Sequence, residues 1–259
     1  MVTVARKVVK AMALGPGLVA HRRPGDVVML LYHRVGDGRS EIELPPDRFE
    51  REIAHLARRD RVLSLDQALS DGARGGVVIT FDDGYRDFHQ AALPVLVRHR
   101  VPVVLYVATG MVAEESRGGG DALTWSQLRE AVATGLVTVG SHTHSHRDLS
   151  GLSDRECEEE MSQSRELIED RLGIACRHFA YPFAIGSLEA DRVARRLFDS
   201  AAVDAWRTNR RGRIDPHRLG RTPVLRSDGW RFFRAKVAGM LDGEGLAYRA
   251  LRRGPWRRP

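Results

Sequence analysis

Short apolar, β-branched runs that alternate with helix-period segments constrain this chain most. The runs are Val27 to Tyr32, Val77 to Phe81, Val101 to Ala108, Leu136 to Gly140, His178 to Phe183 and Ala201 to Val203. Strands that alternate with helices lie parallel and are covered on both faces, so they read as continuous apolar runs rather than as an in-out alternation. Repeated βα units predict an α/β fold with a parallel sheet, and their number allows closure into a distorted (β/α) barrel. With 259 residues and 42% hydrophobic content the chain can bury a substantial core, and one barrel-sized domain is expected.

The intervening segments carry helix punctuation. Pro45-Pro46-Asp47 opens a helix whose apolar residues Phe49, Ile53, Leu56 and Ala57 share a face. Ala91, Leu93, Leu96 and Val97 mark the next helix. Thr124-Trp125-Ser126-Gln127 and Ser153-Asp154-Arg155-Glu156 both have capping-box form, and the second starts the longest helix, with Cys157, Met161, Leu167, Ile168 and Leu172 at helical spacing up to Gly173. Gly118-Gly119-Gly120 reads as a loop, and a further helix is expected near Leu188 to Phe198. After Trp230, the residues Phe232, Phe233, Val237, Met240 and Leu241 suggest a short terminal helix. The expected organisation is a basic segment at 1–25, the barrel domain at 26–228, and a C-terminal helix with an Arg-rich tail at 229–259.

The formal charge of +7 is concentrated at one end: residues 201–259 hold 15 basic and 5 acidic side chains. Only Lys7, Lys10 and Lys236 are lysines, so the excess is arginine, suited either to anionic groups or to a solvated face. The tail is expected to touch an anionic surface weakly, without specific nucleic-acid recognition. Cys157 and Cys176 lack metal-ligand spacing and read as two buried thiols. No stretch approaches the about 20 apolar residues of a membrane span, and Gly15-Pro16-Gly17 interrupts the first apolar segment; a cytoplasmic or peripherally membrane-associated protein is expected.

Two of the runs end in chemistry. Val77 to Phe81 runs into Asp82-Asp83-Gly84-Tyr85, and Leu136 to Gly140 runs into Ser141-His142-Thr143-His144-Ser145-His146. Parallel strands deliver such residues to one rim, where α/β folds assemble their sites. One carboxylate and two imidazoles meeting there make a three-ligand divalent metal site with open positions. Each half alone also fits an ordinary strand-end turn or a set of solvent-facing loop histidines.

The order Asp-Asp-Gly, then His-x-x-x-His, then Tyr181-Pro182-Phe183 resembles the polysaccharide deacetylases of the NodB homology group, carbohydrate esterase family 4, over roughly residues 27–225. The resemblance implies Asp82 as general base, Asp83, His142 and His146 as metal ligands, and the Phe183 backbone N–H as donor to the developing oxyanion. His144 falls outside the pattern. Ala180 stands where many members carry an arginine that holds the catalytic Asp, and Arg221 in Leu219-Gly220-Arg221-Thr222-Pro223 is the candidate for that role.

Many members also carry a C-terminal His that protonates the leaving amine, whereas this chain has no histidine after His217. Its start, Leu31-Tyr32-His33-Arg34-Val35, resembles the poly-N-acetylglucosamine deacetylases, which makes His33 the candidate acid and His217 a weaker one. Tyr85 and Trp125 are candidates either for stacking on sugar rings or for the core. The expected activity is metal-dependent removal of N-acetyl groups from amino sugars of a polysaccharide or glycolipid. Zinc is the expected metal, with Co, Ni or Mn as alternatives. O-acetyl ester hydrolysis and non-catalytic glycan binding are the other readings, the latter motivated by Ala180 and the absent C-terminal His.

Overall fold

The computed structural model describes residues 23, 25–72, 74–112, 120–184, 186–203 and 207–240. The basic N-terminal segment, Gly118, Gly119 and the Arg-rich tail lie outside the described residues. In chain order come β1 (Val27–Tyr32), the short strands β2 (Arg34–Val35) and β3 (Glu43–Leu44), α1 (Pro46–Arg59), α2 (Leu65–Leu69) and β4 (Gly76–Phe81). A π-helical turn, Phe88–Ala92, leads into α3 (Leu93–His99), followed by β5 (Val103–Val107), α4 (Trp125–Ala133) and β6 (Val137–Ser141). Then follow α5 (Asp154–Leu172), β7 (His178–Ala180), α6 (Leu188–Leu197), β8 (Ser200–Val203), β9 (Leu219–Pro223) and α7 (Trp230–Val237).

Seven of the strands form a closed barrel in the order β1-β4-β5-β6-β7-β8-β9, with every neighbouring pair parallel and β9 returning to pair with β1. Closure leaves no unpaired edge in the main sheet. β2 and β3 form a separate two-stranded ribbon.

Strand parity builds two cores. Val28, Leu30 and Tyr32 of β1 and Val77, Ile79 and Phe81 of β4 face the surrounding helices, while Val27, Met29, Val78, Val104, Tyr106, Ala180, Ala202 and Leu219 belong to the barrel interior. Successive strand residues point to opposite sides, so even a fully apolar strand divides its side chains between interior and helix layer. Leu63, Leu65 and Ala68 join the interior cluster, so the α2 region plugs the end where the strands begin. Tyr32, Phe49, Phe81 and Phe88 form a chain of ring contacts, with centroids 5.1–5.7 Å apart, that locks α1 and the π turn onto β1 and β4.

Both capping boxes are present: Thr124 Oγ1 accepts from Gln127 N and Ser153 Oγ from Glu156 N, while Gly173 ends α5 in the left-handed region at φ 66°. Cys157 and Cys176 are buried free thiols, as expected.

Several expectations need correction. The run His178–Phe183 is a strand only to Ala180; Pro182 cannot donate to a ladder, and Pro182–Ala184 turn into a 3₁₀ segment. The buried face of α1 takes in Glu52 rather than Ala57, because Arg48 Nε and the Tyr32 hydroxyl both donate to the Glu52 carboxylate. Val97 is largely exposed at the end of α3. Leu219–Pro223, read from the sequence only as the setting of Arg221, is the strand that closes the barrel. In α7 Phe233 and Val237 are buried, Phe232 is half-buried, and Met240 lies beyond the helix end.

Candidate metal centre and base

The parity that separates interior from helix layer also places the first carboxylate. Val78 lies in the interior cluster, so Asp82, four residues on, emerges at the top of the barrel on the interior side. Its N–H donates to the Tyr32 carbonyl at 3.1 Å, continuing the β1–β4 pairing by one residue. There it meets Arg221 of β9 in a bidentate pair: Nη1 donates to Oδ1 at 2.6 Å and Nη2 to Oδ2 at 2.8 Å. Both residues are buried, and the guanidinium carbon also sits 5.4 Å from the ring centre of Tyr106. Burial alone would push the Asp82 carboxyl up, but the charge of Arg221, then those of His142 and His33, hold it below the usual carboxylate range.

Asp83 reaches the site by a different route from its neighbour. It sits in the left-handed region at φ 72°, followed by Gly84 at φ 86°, so the two carboxylates do not diverge as they would on an extended strand. Asp83 Oδ1 lies 3.1 Å from His146 Nε2 and 3.5 Å from His142 Nε2, and Asp82 Oδ2 is 3.7 Å from His142 Nε2. Burial raises the Asp83 carboxyl, yet the hydrogen bond with His146 and the charges of His142 and His33 outweigh it, so the group is held below its ordinary range.

His142 follows β6 directly, and its N–H donates to Val107 O at 2.9 Å. Its Nδ1 lies 2.8 Å from the Ala180 carbonyl, which accepts only if Nδ1 carries the proton; Nε2 is thereby left with its lone pair toward Asp83. Burial pushes the His142 imidazole down despite Asp82 and Asp83, keeping it in the neutral form a metal requires. His146 is carried back to the cluster by a tight loop. Thr143, at φ 66°, accepts the His146 N–H on its hydroxyl at 3.0 Å, and His146 itself has φ 58°. The serine-or-threonine place in the motif is therefore occupied by the side chain that folds the loop.

Asp83, His142 and His146 each offer a donor atom within 4.8 Å of the others. A carboxylate and two imidazoles, one with its tautomer fixed by a backbone carbonyl, fit a divalent cation and leave coordination positions for water and substrate. Of the five described non-glycine residues with left-handed φ, four are Asp83, Thr143, His146 and Phe183. Such conformations cost of order 1–3 kcal/mol each and cluster where a site over-determines the backbone.

His33 is the first residue after β1, half-buried, and its charge acts on both Asp82 and Asp83. Phe183 follows β7 at φ 55°, ψ 8°; its ring is 59% exposed and packs edge-on against His146 with centroids 4.7 Å apart. His144 turns away from the cluster, its Nδ1 3.0 Å from Thr109 Oγ1. His217 is held at the opposite end of the barrel, just before β9, with Nε2 2.8 Å from the Phe198 carbonyl. Trp125 is a core residue, 3% exposed, under the Arg171 guanidinium.

Tyr85 does more than sequence reasoning assigned it. Its hydroxyl lies close enough to Asp83 to feel the carboxylate's charge, and the Arg34 guanidinium, held by Asp87 at 2.7 Å, covers its ring at 4.5 Å. Burial, then the Asp83 charge, pushes the Tyr85 hydroxyl up. Its place two residues past Asp83 was the available signal. Ala180, by contrast, contributes a backbone carbonyl, which no side-chain pattern discloses.

A parallel barrel that presents two histidines and a carboxylate at the C-terminal mouth of its strands, beside a second carboxylate held by arginine, defines a metal-site (β/α) barrel. Residues 70–198 match the family model for polysaccharide deacetylase, and the chain belongs to that family. It is 28% identical to the Bacillus subtilis (strain 168) protein YxkH, over 67% of this chain and 62% of that one. It is 26% identical to the poly-beta-1,6-N-acetyl-D-glucosamine N-deacetylase of Staphylococcus aureus (strain MRSA252), over 53% and 52%. The chain thus spans between half and two thirds of the length of these curated relatives. Among solved structures, IcaB from Ammonifex degensii superposes with a TM-score of 0.72 at 26% identity, covering 86% of this chain and all of that one. The Streptococcus pyogenes deacetylase PplD, at 22% identity, shares the fold with a TM-score of 0.72 over 83% of this chain and 99% of its own.

Proposed function

We propose that this chain is a metal-dependent deacetylase that hydrolyses the N-acetyl group of amino sugars within a polysaccharide or glycolipid. The observation that carries the reading is the convergence of Asp83, His142 and His146 within 4.8 Å beside the Arg221-held Asp82. Asp83, His142 and His146 would hold the cation, with zinc the first choice for a mixed N/O donor set and Co, Ni or Mn as alternatives. When bound, the cation supplies Lewis acidity toward water and the acetyl oxygen.

The protein's own groups account for the proton traffic. Asp82, kept ionised by Arg221, accepts a proton from the attacking water. The water oxygen bonds to the acetyl carbon, and the Phe183 N–H, presented by the left-handed turn after β7, donates to the oxygen that gains charge. As the C–N bond breaks, His33 gives its proton to the departing sugar amine, and acetate and a free amine result.

A β-1,6-linked N-acetylglucosamine polymer is the first substrate to test, because the S. aureus relative is named for that activity. The non-catalytic reading loses one of its two motives, since the guanidinium expected at position 180 arrives from Arg221; the other, the absent C-terminal His, is answered if His33 serves as the acid. The test is acetate release from N-acetylglucosamine oligomers, with and without chelator, in wild type, Asp82→Asn and His33→Ala. Loss of about 10²-fold or more in both variants and in the chelated enzyme is expected. Equal release from all would remove the proposed roles.

A further inference from the structure

Away from the metal centre, an open cleft of about 710 Å³ separates α1 from α7, lined by His55, Arg59, Asp60, Trp230, Arg234 and Val237. Its volume falls in the range of small-ligand sites. Its lining is polar and cationic around one aromatic platform: the Arg51 guanidinium covers the Trp230 ring at 5.1 Å and His55 meets the same ring edge-on at 5.0 Å. Arg59 and Arg234 meet no carboxylate among the described residues. Other helix arginines are matched, as in Arg155 with Glu159, Arg192 with Asp154, Arg195 with Asp215 and Arg196 with Glu158, whereas Arg58 and Arg231 on the same two helices also meet no carboxylate among the described residues, so positive charge gathers on this side. Asp60 is the one acidic residue among the described lining residues.

We propose that this cleft binds a phosphate-type anion, the chemistry shared by an acidic phospholipid headgroup and free phosphate. Two arginines lining one cleft offer planar, multi-donor guanidinium groups, which suit a tetrahedral oxyanion better than lysine point charges would. Arg59 and Val237 end helices that run back along the barrel, so the cleft lies toward the end where the strands begin. A surface held there leaves the mouth bearing Asp83, His142 and His146 facing away from it and open to a polymer. The inference is independent of the catalytic roles proposed above.

The test uses the full chain. Co-sedimentation with phosphatidylglycerol–phosphatidylcholine vesicles is compared with pure phosphatidylcholine vesicles, and the Trp230 indole N–H resonance is followed during titration with inorganic phosphate. The double variant R59Q/R234Q should bind the anionic vesicles roughly 25-fold more weakly, the effect of two surface arginines, and lose the phosphate response. R59K/R234K should keep most of both, and acetate release from a soluble oligomer should not change. A phosphate response without vesicle binding supports the cleft and assigns it to free phosphate; vesicle binding that depends on Arg59 and Arg234 supports it and assigns it to the lipid. Vesicle binding unchanged in R59Q/R234Q, together with a Trp230 resonance indifferent to phosphate, overturns the proposal.

Discussion

Arg221 on β9 and Asp82 at the end of β4 are 139 residues apart in the chain and form a buried bidentate pair at 2.6 and 2.8 Å. Ala180, on β7, also belongs to the barrel interior. A guanidinium can enter this interior from any strand whose parity points inward, and a small residue at 180 leaves room for the one that comes from 221.

Arg221 opposes the effect of burial on Asp82, so its removal should raise the carboxyl's pKa. In wild type the lowered value keeps Asp82 ionised throughout mildly acidic conditions, and activity is retained as pH falls toward the ordinary carboxylate range. Arg221→Met should move the acid limb of the kcat/KM profile upward by about one to three pH units, with Arg221→Lys in between. An unmoved limb would show that Arg221 is not what keeps Asp82 charged.

Metal affinity should depend on the three ligands and on the partner of Asp83. Asp83→Asn, His142→Ala and His146→Ala should each abolish tight zinc binding in a chelator competition. Tyr85→Phe, which removes only the hydroxyl beside Asp83, should weaken it by about 10-fold if that hydroxyl orients the carboxylate. Adding zinc to chelated wild type should raise the melting temperature, because the ion binds the folded cluster and not the separated side chains.

Gly140 is needed for contact rather than for a turn. A Cβ there would lie 2.7 Å from Tyr106 Cδ1 and 2.8 Å from the His178 carbonyl, and the carbonyl belongs to the adjacent strand. Gly140→Ala should cost about 1–3 kcal/mol in urea unfolding, the usual range for overpacking. It should also lower kcat, since Tyr106 lies against Arg221.

Stability should fall on the acid side because of His178. Burial lowers this imidazole's pKa despite Asp66, whose carboxylate lies 3.4 Å from Nε2, too far for a well-formed bond, while Nδ1 meets Ser200 Oγ at 2.9 Å. The folded state therefore takes up its proton at lower pH than the unfolded chain does. Stability contributed by neutral His178 is fully present above the unfolded value of 6.5 and is lost as pH falls from there toward the folded-state value. Urea midpoints measured through that window should decline less steeply in His178→Gln, although His142, also lowered, leaves part of the slope.

The amino-acid order alone determined the alternation of buried strands and capped helices, because apolar periodicity, Ser153, Thr124 and Gly173 act within a few residues of themselves. It also determined which acids and imidazoles stand at strand ends, since His142 and Asp82 follow their apolar runs directly. The strand Leu219–Pro223 escaped that reading because a polar-looking Gly-Arg-Thr interrupts it, and Arg221 is tolerated in a barrel interior only once Asp82 faces it. The apolar run at 178–183 is extended by local pattern, yet the strand ends at Ala180, where the register with β8 stops and Pro182 has no N–H to carry it on. Only tertiary structure decided that Asp83 would bend back through a left-handed backbone, that the Ala180 carbonyl would fix the His142 tautomer, and that Trp125 would lie in the core. Each depends on groups brought together by barrel closure from distant positions, and local sequence has no energetic access to such pairings.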